Sequence, residues 1–217
     1  VRSQFPRIDI QAPLPDETER FGEERKEIRI SLSNNPRCWL SDPHGPWLIQ
    51  IQNSRFISNW RKIPDQKYPQ FKAFKEHFVR EFDRFCDFLK NEEIGQPEPE
   101  QIEVSYINHI VEFDNWADVF HVWTRLKDGG FLKNPDALEI RAVFPIPNDC
   151  GRLYIQAEPV VRHADAKEVI QLTLTAKVLV SAEGLDVTSE LRLAHEWAVR
   201  GFADFTTPEM HQKWGKQ

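Results

Sequence analysis

The chain has 217 residues, enough for one large domain or two small ones, and its 40% hydrophobic and 29% charged residues exclude a chain with no core. A formal net charge of −6 argues against a broad nucleic-acid face while leaving room for a local basic patch. Cysteines are few and odd in number, at positions 38, 86 and 150, which excludes a disulfide framework, and no apolar run is long enough to span a membrane.

These features predict a reducing, cytoplasmic setting, and no signal-peptide pattern opens the chain. The first residue is Val1 rather than Met, so the chain reads either as a piece of a longer protein or as one lacking its true start. Residues 1–26 read as an extended arm, because Pro6, Pro13 and Pro15 break any long element; Phe5 and Phe21 are its candidate anchors. From Glu27 the pattern has period two. Ile28, Ile30 and Leu32 predict a half-buried strand, and Asn34, Asn35 and Pro36 a turn. A short strand at Cys38–Leu40, a turn at Asp42–Pro46, a strand over 47–52 and another over Arg55–Trp60 complete an antiparallel meander.

The period then changes. Phe71, Phe74, Phe78, Phe82, Phe85 and Phe88 recur at steps of three and four, which predicts one apolar stripe on a long helix over 69–90. Pro69 is expected in its first turn, and Gly95, Pro97 and Pro99 lie in the stretch that ends it. Beyond it, Ile102, Val104, Tyr106, Asn108 and Ile110 share one strand face. A helical turn is expected around Trp116, Val119, Phe120 and Trp123. Leu138 to Phe144 predict a strand stopped by Pro145 and Pro147, followed by a turn over 148–151. Leu153, Ile155 and Ala157 alternate next, and the even positions from Ile170 to Val180 mark the strongest strand, with Gln171, Thr173, Thr175 and Lys177 on a wet face. A turn over 183–186 leads to a helix capped by Asp186 or Thr188 and lined by Leu191, Ala194, Trp197, Ala198, Phe202 and Phe205. Thr207 and Pro208 then open a last short helix through Trp214.

The fold class that follows is α+β: a mainly antiparallel sheet with two long amphipathic helices, 69–90 and 188–205, packed on one face, in strands-helix-strands-helix order. Residues 27–217 are read as a single domain, with a division into two lobes near 95–100 as the alternative.

Chemical motifs are sparse. The seven histidines show no HExxH spacing and the cysteines no CxxC, so no metal is expected. There is no GxSxG elbow, no Walker A sequence and no GxGxxG, so no catalytic residue and no cofactor is assigned. Cys150 and His163 read as a turn cysteine and an unrelated histidine rather than a nucleophile–base pair. The informative residues are polar or aromatic in unusual places. Asn108 and Tyr106 sit on an otherwise apolar strand face and must find hydrogen-bond partners in the fold or in a ligand. His109 follows directly. Trp116 and Trp123 flank a loop-like insertion, and Trp60 stands beside Arg61, a pairing favoured at protein interfaces and also able to stack bases.

Several segments carry a resemblance when taken together: LIQIQNSRFISNW at 48–60, YPQFKAFKEHF at 68–78, VSYINHIVEF at 104–113, the tail HEWAVRGFADFTTPEMHQKWG at 195–215, and the opening FPRIDIQAPLP at 5–15. This set resembles a sporadically distributed bacterial family of uncharacterised proteins. The resemblance places the family's Tyr–Ile–Asn core on Tyr106, Ile107 and Asn108; where members commonly carry Arg on either side, this chain has Ser105 and His109. It implies a stand-alone bacterial cytoplasmic protein, an accessory in a mobile or defence locus, and it implies no substrate or cofactor.

Three functions remain in view. The first is non-enzymatic binding of another protein or of a second copy, through an aromatic patch or a free sheet edge, with no membrane involvement and nucleic acid disfavoured. The second is a small-molecule pocket near Tyr106 and Asn108. The third is an enzyme with a noncontiguous site at His109, His121 and Glu112.

Overall fold

The computed structural model describes residues 5–15, 19, 36–42, 44–64, 66–111, 113, 116–121, 138–162, 165–180 and 186–215, with the side chains of residues 116 and 117 excepted. The strand expected at 28–32 and the turns expected at 34–35 and 183–185 lie outside these residues. The chain divides into two compact units, Val1–Glu98 and Pro99–Gln217. The described strands form two four-stranded antiparallel sheets, one in each unit. This corrects the expectation of one shared sheet under both helices. Each long helix instead belongs to a unit with its own sheet.

In the first unit, β1 (Arg7–Gln11), β2 (Arg37–Ser41), β3 (Trp47–Gln52) and β4 (Arg55–Trp60) form a meander in chain order. The expected arm thus supplies a strand: Ile8 pairs with Leu40 and Ile10 with Cys38. The segment after β1 is tied across β3. Leu14 donates its N–H to Gln52 Oε1 at 2.8 Å, and Gln52 Nε2 donates back to the Leu14 carbonyl at 2.9 Å.

Helix α1 (Phe71–Asn91) follows, with Gln70 as its N-cap, so Pro69 precedes the cap rather than occupying the first turn. Phe56 of β4 meets Phe78, Phe82 and Phe85 at ring-centre distances of 5.8, 5.4 and 5.3 Å. The phenylalanine stripe is nevertheless only partly covered, and Phe88 is exposed. The deepest residues of α1 are His77 and Glu81. Length explains this. A helix of 21 residues spans about 31 Å, whereas a strand of six residues spans about 20 Å, so the sheet cannot cover the whole stripe.

In the second unit, β5 (Gln101–Ile110), β6 (Ile140–Ile146), β7 (Gly151–Arg162) and β8 (Lys167–Leu179) pair antiparallel in the order β5-β8-β7-β6. Short helix α2 (Trp116–Val119) lies between β5 and β6 in the chain, and a single 3-10 turn, Pro147–Asp149, joins β6 to β7. Helices α3 (Val187–Phe205) and α4 (Pro208–Lys213) close the unit. The alternation read from the sequence puts Leu172, Leu174, Ala176, Leu153, Ile155 and Ala157 on the buried face, under Leu191, Ala194 and Ala198 of α3. Gly201 lets α3 come close: a Cβ there would stand 2.4 Å from Leu153 Cδ2.

Caps read from the sequence are present. Asp186 accepts from the N–H groups of Thr188 and Ser189 at 3.1 and 3.2 Å, and the bond from the Ser189 hydroxyl, with these two, holds its carboxyl below the usual range. Thr207 caps α4, with Pro208 in the first turn, and donates its hydroxyl to the Asp118 carbonyl at 2.5 Å, which pins α4 to α2. Strand β6 corrects one expectation. It runs through Pro145 instead of stopping there, because that position lies on the outer edge of the sheet and owes the ladder no N–H.

Candidate functional site

Strand β5 carries the sequence candidates that fall in the second unit's sheet. Alternation sends Tyr106 and Asn108 to the face beneath α3 and His109 to the opposite face. The Tyr106 hydroxyl bonds His195 Nδ1 of α3 at 2.9 Å. Burial lowers the His195 pKa, with Glu196 pulling the other way. Asn108 Nδ2 donates to the Leu172 carbonyl at a long 3.5 Å. Exposed His109 contacts Gln171 Oε1 through Nε2 at 3.3 Å. So Tyr106 and Asn108 find partners inside the fold, and His109 does not join them. Sequence reasoning missed His195 as a site residue, although a tyrosine on an apolar strand face signals that a facing helix must offer a polar partner.

The other candidates lie elsewhere. Trp60 is half-buried and packs edge-on against Tyr68 at 5.1 Å. Exposed Arg61 donates its backbone N–H to the Pro46 carbonyl at 2.9 Å and reaches the Gly45 carbonyl at 3.5 Å with Nη2, closing the base of the β3–β4 hairpin. Trp116 opens α2, but its side chain, Trp123 and Glu112 lie outside the described residues, and His121 is exposed. The expected His109, His121 and Glu112 grouping is therefore described only in part. Cys150 donates its thiol to the Pro147 carbonyl at 3.1 Å, and burial raises its pKa, the reverse of what an activated nucleophile needs. No group of three or more metal-binding side chains gathers among the described residues, and none of their helices is long and apolar enough to cross a membrane.

A second polar cluster, unforeseen in the sequence, lies under α1. His77 stacks flat on Trp47 at 3.7 Å and bonds Ser58 Oγ through Nδ1 at 3.3 Å, while its Nε2 is buried without a hydrogen-bond partner. Burial drives its pKa down to about 4, against a raising effect from Glu81 and aided by Arg80 and Arg84. Glu81 itself is held by Arg80 and Arg84 at 3.2 and 3.0 Å. A scan of protein-family models, a search of curated proteins and a search of solved structures each found no match to this chain.

The outer edge of β5 has the clearest binding geometry. Val180 donates its N–H to the Glu100 carbonyl at 2.9 Å, one step beyond the ten paired positions of β5 and β8. Bonded and non-bonded pairs alternate along an antiparallel ladder. Ile102, Val104, Tyr106, Asn108 and Ile110 therefore turn their main-chain groups toward β8. Gln101, Glu103, Ser105, Ile107 and His109 turn theirs outward, where no strand pairs among the described residues. The same count from the bond of Leu179 to the Cys150 carbonyl puts Pro145 of β6 at an outward position, where its missing N–H costs nothing. Edge β6 is thus blunted by a proline, whereas β5 is ten residues long with no proline, no lysine and no bulge in its register.

Proposed function

We propose that the protein acts by binding another polypeptide, which adds as a strand along the outer edge of β5. The observation that carries this reading is the contrast between the sheet's two edges, one interrupted by Pro145 and the other long, regular and without a paired strand among the described residues. Main-chain groups at the outward positions supply affinity, and the exposed side chains Glu103, Ser105, Ile107 and His109 beside them supply selectivity. Ile107 is 64% exposed in the middle of that row, an apolar side chain facing water where a strand partner would cover it. The commitment of Tyr106 to His195 and of Asn108 to Leu172 supports a structural rather than ligand-binding role for the opposite face.

The test is a proline placed by parity. In Ile107→Pro the lost N–H points outward, so the β5–β8 ladder and the thermal unfolding temperature are expected to be nearly preserved. Val104→Pro removes an inward N–H and is expected to destabilise the unit strongly. Affinity capture from the native host then compares wild type with Ile107→Pro. A polypeptide retained by wild type and lost by the variant supports edge binding; one retained equally by both refutes it.

A further inference from the structure

The edge of β5 is complementary to itself. An antiparallel strand pair related by a two-fold axis keeps open-face side chains opposite open-face side chains only if the register shifts in steps of two. With the axis at Tyr106, Glu103 of each copy lies opposite His109 of the other, and Ser105 lies opposite Ile107. Beneath α3, Ile102 meets Ile110 and Val104 meets Asn108. A carboxylate opposite an imidazole is a favourable cross-strand pair and symmetry makes it twice; it forms beside the contacts that Glu103 makes with Gln101 at 2.7 Å and His109 with Gln171 at 3.3 Å. The neighbouring registers lose it. An axis at Ser105 sets Glu103 against Ile107, and an axis at Ile107 sets Glu103 against Val111.

A second, independent feature lies on α3. Because His195 reaches Tyr106, that flank of α3 lies over β5, and Val199, one helical turn further along the same flank, is 44% exposed. A two-fold axis at Tyr106 turns two such flanks toward each other.

We propose that the strand added at β5 is β5 of a second copy of this chain, in the register with Tyr106 on the axis, joining two four-stranded sheets into one of eight strands. This rests on the edge-binding reading and names its occupant. The main-chain groups of Ser105, Ile107 and His109 bond across the axis, and the Glu103–His109 pairs select the register.

Sedimentation velocity of the full chain over a concentration series tests this with wild type, Glu103→Lys, His109→Glu, the double variant carrying both, and Ile107→Pro. All changed side chains are exposed, so folding is checked by circular dichroism and expected to be unaltered. Wild type is expected to be a dimer. His109→Glu sets two carboxylates opposite each other and Glu103→Lys removes the carboxylate that faces the imidazole; each raises the dissociation constant roughly 2- to 30-fold, and the double variant, which sets Lys opposite Glu, recovers most of that loss. Ile107→Pro is expected to be monomeric. A wild type that stays monomeric throughout, or a dimer indifferent to the charge variants, overturns self-pairing in this register. The edge-binding reading is judged separately: it survives a monomeric wild type if Ile107→Pro loses a captured partner, and it fails if capture is unchanged.

Discussion

Both units pair a four-stranded antiparallel sheet with one long helix, yet their interiors differ in kind. In the second unit the strands reach 12 and 13 residues, and Leu172, Leu174, Ala176, Ala157 and Ala194 are wholly excluded from water. In the first, strands of five or six residues carry a helix of 21, most phenylalanines of α1 keep part of their surface in water, and the most buried helical positions are His77 and Glu81. The same order of elements therefore produces a dry aliphatic core in one case and an aromatic layer around a polar centre in the other. Strand length, which sets how much helix a sheet can cover, makes the difference.

That contrast can be broken at several points. The largest effect is expected from Leu174→Ala, where truncation in a closed aliphatic core costs about 2–5 kcal/mol, read by urea denaturation. Phe85→Ala removes a bigger side chain, but its half-buried ring should cost distinctly less; equal losses would mean that the two interiors are equally closed to water.

The next effect is a pH dependence carried by His77 in the first unit. Folded His77 titrates near 4 and the unfolded ring near 6.5, so between these values the unfolded state binds the extra proton. Stability is fully present above pH 6.5, falls as pH drops through the window and levels off below pH 4, with a total loss on the order of 3 kcal/mol. His77→Leu should flatten that slope in urea midpoints measured from pH 7 to 4.5. An unchanged slope would show that the stacked ring is not what acid attacks.

The smallest effect concerns the end of the second unit. Thr207→Ala removes both the cap of α4 and the bond to the Asp118 carbonyl, and about 1–2 kcal/mol of stability is expected to go with them in the same assay. A loss below about 0.5 kcal/mol would mean that α4 is held by Met210 in the core rather than by its cap.

Much of the local structure is legible in the sequence because its causes are local. Alternation places β3, β4, β7 and β8; the Asp186 and Thr207 caps mark the starts of α3 and α4; and Tyr106 and Asn108 fall on the shielded face of β5 as their parity requires. The misses have causes that are not local. Pro145 reads as a terminator until the strand is known to be an edge with that position turned outward. Arg7–Gln11 stands between Pro6 and Pro13 and so reads as part of an arm, and only pairing with β2 makes it a strand.

The candidate site shows the same split. Residue types and parity along β5 are properties of the sequence, so its two faces can be told apart from the order of residues alone. Whether β5 is central or at an edge depends on which strands pair, and that choice places β8 between β5 and β7, with β5 far from β8 in the chain. Hydrophobic rhythm tells each residue which way to face, because the backbone repeat is fixed by stereochemistry. It does not tell a strand who its neighbours are, because any strand of the same period satisfies the same hydrogen bonds. The division into two sheets, the burial of His77 against Trp47 and Ser58, and the place of β5 at the edge of the described sheet were decided by tertiary pairing alone.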